Sequence, residues 1–154
     1  MLEVRGFRFT VVTAYNKETQ GEIMGDVLIR LLVAGGVMGV LDFIWLGTVA
    51  KTFYRSQIGK LLLDKPNMTA AVLFYGLYVV GVVTFVVTPA LEKGSLSYAV
   101  TRGALFGLVA YATYDLTNLA TIKGFTTKIV MVDLLWGVCL TAAVSAVTYL
   151  VLHR

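Results

Sequence analysis

The stretch "GALFGLVAYATYDLTNLATI", Gly103–Ile122, decides how the rest of the chain reads. As a helix rising 1.5 Å per residue it would reach about 30 Å, the hydrocarbon thickness of a bilayer. It is too long and too continuously apolar for a barrel strand. Yet it carries Asp115 and Asn118, where an unpaired polar group is costly. If Gly103–Ile122 crosses a membrane, those two residues need a reason to be there.

Composition favours the crossing. The chain has 154 residues, of which 58% are hydrophobic and only 14% charged, against about 25% charged in an ordinary soluble domain. Its mean hydropathy is +0.81. A soluble chain of this size could not hide so much apolar surface in one core. Three further runs resemble the first: Leu31–Ala50, broken only by Asp42; Met68–Leu91, free of charge; and Ile129–Leu152, broken only by Asp133. Lipid leaves the backbone no partner but itself, so such runs are helices. The expected fold is an all-α integral membrane protein, a four-transmembrane-helix antiparallel bundle over residues 27–154, with spans at about 31–50, 68–91, 103–122 and 129–152.

The connections set the topology. Lys51–Asn67 is long and polar and is expected to carry an interfacial helix that Pro66 ends. The segment 92–102, with "EKGS", reads as a turn, and 123–128 as a tight hairpin. Such short loops make the second, third and fourth spans antiparallel neighbours. Residues 1–26 contain no transmembrane run and no cleavable signal. They read as a tail, either a disordered arm or a mis-assigned start, with Met24 a natural initiator.

Several function classes drop out. The net charge of +4 is spread over short loops rather than a stripe with interleaved aromatics, so no nucleic-acid partner is expected. Cys139 is alone and mid-span, and His153 is the only histidine. A disulfide, a redox pair, a metal site and a Ser-His-Asp triad are therefore not expected. With no GxGxxG or Walker pattern, no nucleotide cofactor is expected either.

What remains is the polar cluster. In four antiparallel crossings, Asp42, Asp115 and Asp133 lie about 12, 10 and 6 Å from the same membrane face, counted at 1.5 Å per residue from the ends of their spans. The other half of the bilayer receives no carboxylate. Asp42 and Trp45 are three apart, as are Asp133 and Trp136, so each carboxylate is expected to have an indole on its own helix face. Tyr111, Asp115 and Asn118 line one face of the third span, and Tyr75 of the second lies at comparable depth. These residues suggest a polar pocket open to one side, with Asp42, Asp115 and Asp133 as candidate acid–base groups. Three carboxylates so close cannot all stay ionised cheaply, so at least one is expected to hold a proton. Lys51, Arg55 and Lys123 are the candidate counter-ions. Six basic residues in the site-side loops against four near the other ends of the spans favour a cytoplasmic site.

Three pieces, "DFIWLGTVAKTFYRSQIGKLL" (Asp42–Leu62), "YDLTNLATIKGF" (Tyr114–Phe125) and "DLLWG" (Asp133–Gly137), together resemble a bacterial family of small four-span membrane proteins of unknown function. The resemblance covers roughly residues 25–154. It implies the four-span architecture and no reaction, and it points to Asp42, Trp45, Tyr54, Gln57, Gly59, Asp115, Asn118, Asp133 and Trp136.

Three functions compete on these residues, and the sequence does not decide whether the protein is an enzyme. One is a cell-membrane protein that binds or acts on a lipid or isoprenoid, with Trp45, Tyr54, Gln57, Tyr75, Tyr111, Asn118 and Trp136 around the substrate. Another is a non-catalytic membrane subunit whose polar cluster fixes helix packing. The third is a small dimeric proton-coupled transporter. It is disfavoured because the carboxylates stop halfway across. Gly35/Gly39 and Gly103/Gly107 are GxxxG pairs, through which helices of one chain or of a homodimer could approach closely.

Overall fold

A computed structural model of the chain describes the backbone from Glu3 to His153 and the side chains of residues 20–49 and 52–153. It is all-helical, with no strand among the described residues. The elements are α1 (Glu3–Trp45), a π-helical turn (Leu46–Ala50), α2 (Lys51–Ile58), a 3-10 turn (Gly59–Leu61), α3 (Met68–Val82), a second π-helical turn (Val83–Val87), α4 (Thr88–Glu92), α5 (Leu96–Thr121) and α6 (Thr127–Leu152). Residues 3–26 are thus helical and continuous with the first apolar run, where a separate tail was expected. No proline occurs before Pro66, so nothing in the backbone chemistry interrupts α1.

Among the described residues, three segments are long and apolar enough to cross a membrane: Gln20–Val49, Met68–Glu92 and Thr127–Leu152. The stretch Gly103–Ile122 lies almost wholly in α5, a helix of 26 residues, but it is not one of the three. Asp115, Asn118, two tyrosines and three threonines dilute its hydropathy. Pro89 falls where a π-helical turn hands over to α4. The wide turn absorbs the backbone bond that proline cannot make. The helix expected after the first run, α2, ends at Ile58, well ahead of Pro66, because the backbone at Ile58 has left helical geometry (φ −131°, ψ 23°).

Each connection is built from local chemistry. The Asn67 side chain accepts from the Ala70 N–H at 3.1 Å, Ser95 Oγ from Tyr98 at 3.2 Å and Thr126 Oγ1 from Ile129 at 3.4 Å, capping α3, α5 and α6. Gly94 (φ 58°) and Gly124 (φ 88°) take the left-handed conformation that reverses the chain before α5 and before α6.

The tightest contact is between α5 and α6. A Cβ added to Gly103 would lie 2.6 Å from Ser145 Oγ and 2.8 Å from the Thr141 carbonyl. One added to Gly107 would strike the Gly137 carbonyl, and one added to Gly137 the Tyr111 ring. As residue numbers rise on α5 they fall on α6, so the pair runs antiparallel. α1 and α3–α4 are antiparallel too: Arg30 Nη1 donates to Thr88 Oγ1 at 3.0 Å, Gly35 lies beside Val79 and Asp42 beside Tyr75. Ala34 and Met38 of α1, Tyr78 and Val82 of α3, and Leu140 and Val144 of α6 join in one buried cluster. The outer surface is oily, with Phe43 80% and Leu77 76% exposed, as expected where lipid is the solvent.

Candidate functional site

Where α1 ends, the backbone widens into the π-helical turn at Leu46–Ala50, and α2 folds back over the loop between α5 and α6. Phe53, Tyr54 and Ile58 of α2 pack on Phe125, Ile129 and Val130, and Thr126 Oγ1 donates to Gln57 Oε1 at 3.2 Å. This docking brings Tyr54 to Asp133, whose Oδ1 accepts its hydroxyl proton.

Beneath α2 is a cavity of about 340 Å³. Asp42 and Asp133 lie in its wall, each more than nine-tenths buried. Eight of its twelve lining residues are aromatic, so those two carboxylates look almost entirely onto ring faces and edges. The Trp45 and Trp136 rings stack at 4.2 Å with planes 7° apart, and Trp136 Nε1 donates to Asp42 Oδ1 at 3.1 Å. The expected indole partner was the one on the same helix. In the fold, the indole from α6 serves the carboxylate of α1, because residues facing a helix interface meet their neighbours across it. Tyr75 and Tyr111 also line the cavity, and Tyr78 shares a 2.7 Å hydrogen bond with Thr141 beside it. At the rim Tyr114 is 61% and Leu46 52% exposed, so the cavity opens toward the outer, oily surface.

The expected residues separate into two groups. Asp42, Trp45, Tyr54, Tyr75, Tyr111, Asp133 and Trp136 come together around the cavity. Asp115, Gln57 and Asn118 do not line it. Asp115 is fully buried, and neither of its carboxylate oxygens has a hydrogen-bond partner among the described residues. Continuing the α5–α6 register one turn beyond Tyr111 places it opposite Asp133 and Ile129. Gln57 fastens α2. Asn118 is half-buried, and its carbonyl accepts from Ile122 N–H at 2.8 Å to end α5. The wall therefore holds two aspartates, where three were expected.

Phe74, Tyr78 and Tyr114 line the cavity without having been singled out in the sequence. Helical spacing carries the signal, since Tyr78 is three residues after Tyr75 and Tyr114 three after Tyr111. No Lys, Arg or His is among the described residues of the lining. Arg55 and Lys123 are exposed, and the Lys51 side chain lies outside the described residues. No metal-binding group of His, Cys, Asp and Glu is found among the described residues.

A second, more apolar cavity of about 680 Å³ runs between α1 and α3, from Leu31 of α1 to Leu46 in the π-helical turn. It shares Asp42, Leu46 and Tyr75 with the first, so the two meet at that carboxylate. Gly35, Gly39 and Gly76 lie in its wall.

A chain with several helices apolar enough to span a bilayer, and an oily exterior around a mixed aromatic and carboxylate interior, is a multi-pass helical membrane protein. It belongs to the family described as predicted membrane protein (DUF2177), whose model matches residues 27–150. No curated protein and no solved structure matches the chain.

Proposed function

We propose that this protein is an antiparallel bundle of four membrane spans, α5 included, that takes a lipid-like amphiphile into the cavity beneath α2. The observation that carries this reading is the cavity itself: two buried carboxylates in a wall that is otherwise mostly aromatic, open toward the bilayer side. A structure selected for packing alone tends to close such a void, because every unfilled space forfeits contacts. The antiparallel pairing of α1 with α3 and of α5 with α6 supports four crossings, which would place Asp42 and Asp133 in one half of the bilayer. The basic loops favour the cytoplasmic half. Both carboxylates are of a type that can accept or return a proton, so acid–base chemistry on the bound molecule is within their reach. A homodimer through Gly35 and Gly39 is compatible with this reading.

A packing role is the second reading, favoured by the Tyr54–Asp133 and Trp136–Asp42 hydrogen bonds, which tie α2 to α6 and α6 to α1. One experiment separates the two. Native mass spectrometry of the protein released from mild detergent should show a retained small molecule that is lost from Ala110→Phe, which fills the cavity from α5. If the parent carries nothing and Ala110→Phe is more stable than the parent, the packing reading holds.

A further inference from the structure

We infer that the amphiphile is a cation: a single alkyl chain bearing an ammonium head, the head seated between Asp42 and Asp133 and the chain laid in the groove between α1 and α3. This rests on the binding role proposed above and specifies its ligand.

The head site is argued from charge and ring geometry. Asp42 is 6% and Asp133 7% exposed. Asp133 accepts a hydrogen bond from Tyr54, and Asp42 accepts one from Trp136 with the Tyr75 hydroxyl also beside it, so the described partners are neutral donors and none is a cation. Two carboxylates in a low-dielectric wall need a positive partner to stay ionised, and the described lining supplies none. The rest of that wall is mostly aromatic, and π faces attract a cation, above all one whose alkyl substituents let it shed water. An anionic head would meet like charge here. A neutral head would leave the carboxylates to be neutralised by protonation alone.

The tail site is argued from the groove. It begins at Asp42 and reaches Leu31, eleven residues along α1, or about 16 Å at 1.5 Å per residue, long enough for one extended alkyl chain. Its walls are Leu31, Met38, Val72 and Val79, with Gly39 and Gly76 leaving the helix surfaces bare. A Cβ at either glycine would meet nothing within 4 Å, so the space beside them belongs to the groove rather than to a protein contact. Head and tail sites are joined through Asp42, Leu46 and Tyr75, which line both.

The test needs no label. Trp45 and Trp136 are the only two tryptophans in the chain and are stacked in the head site, so a seated head alters their fluorescence and near-UV circular dichroism. Protein in a non-ionic maltoside detergent is titrated with dodecyltrimethylammonium, dodecanol and dodecyl sulfate, three heads on one chain. Saturable change is expected with the ammonium at a concentration at least tenfold below either of the others. Asp42→Asn and Asp133→Asn should each remove most of that preference, and Gly39→Leu and Gly76→Leu should weaken the ammonium amphiphile while leaving tetramethylammonium unaffected. Equal binding of all three heads, unchanged in the Asn variants, overturns the cationic assignment and leaves the amphiphile reading standing. No saturable change with any of them, in a protein that retains its helical circular dichroism, removes both. If Gly39→Leu instead converts a dimer to a monomer, the groove belongs to a second copy of the chain, and the tail assignment falls.

Discussion

Asp115 is the residue at which the opening stretch makes its demand. It has no solvent exposure, and no described donor reaches either carboxylate oxygen. An unsatisfied buried polar group costs about 1–3 kcal/mol. Removing the carboxylate should therefore stabilise the protein, unlike most core substitutions. Asp115→Leu is expected to raise the thermal midpoint in detergent by several degrees, equivalent to about 1–3 kcal/mol, and Asp115→Asn by less. A fall in midpoint for both would mean that the carboxylate is held by a partner and contributes to stability. The sequence singled out Asp115 through its cost. It could not tell that Asp115 and Asp133 would diverge, one packed against the neighbouring helix and the other in a cavity wall. That separation depends on a few tens of degrees of helix rotation, and periodicity along one helix does not specify what stands across from it.

At the scale of the element, two GxxxG pairs with the same spacing have different surroundings. Gly103 and Gly107 are enclosed by α6 of the same chain, whereas Gly39 looks into open space. The sequence shows both pairs and cannot rank them, because a glycine reads the same whether a helix or a groove lies beside it. Gly107→Ala would drive a methyl into the Gly137 carbonyl, a backbone atom that cannot swing aside. A loss of about 1–3 kcal/mol is expected, as for other overpacked helix contacts. Gly39→Ala should be neutral or slightly stabilising, since alanine is the better helix former by about 1 kcal/mol. Denaturant or thermal unfolding of the two variants side by side checks the contrast, and similar losses at both sites would contradict it. A helix was expected between the first two runs, and α2 is that helix. Its docking through Tyr54 and Gln57 was not legible, because both partners, Asp133 and Thr126, come from the far end of the chain.

At the scale of the molecule, the question is whether α5 crosses. The three segments Gln20–Val49, Met68–Glu92 and Thr127–Leu152 qualify by length and hydropathy alone, but α5 must qualify by burying its polar residues against α6. In a Cys139→Ala background, single cysteines at Lys60→Cys and Lys123→Cys should react with an impermeant thiol reagent from one side of the membrane. Lys93→Cys and His153→Cys should react from the other. If positions 93 and 123 label from the same side, α5 does not cross. The sequence by itself determined that this is a helical membrane protein, where its apolar runs lie and which polar residues they carry, because hydropathy is a sum over neighbours in the chain. Only the tertiary structure decided which polar residues share a cavity, which glycine pair is enclosed and where Trp136 finds its carboxylate. Those outcomes depend on helix rotation and register, which are set by residues distant in sequence packing against one another.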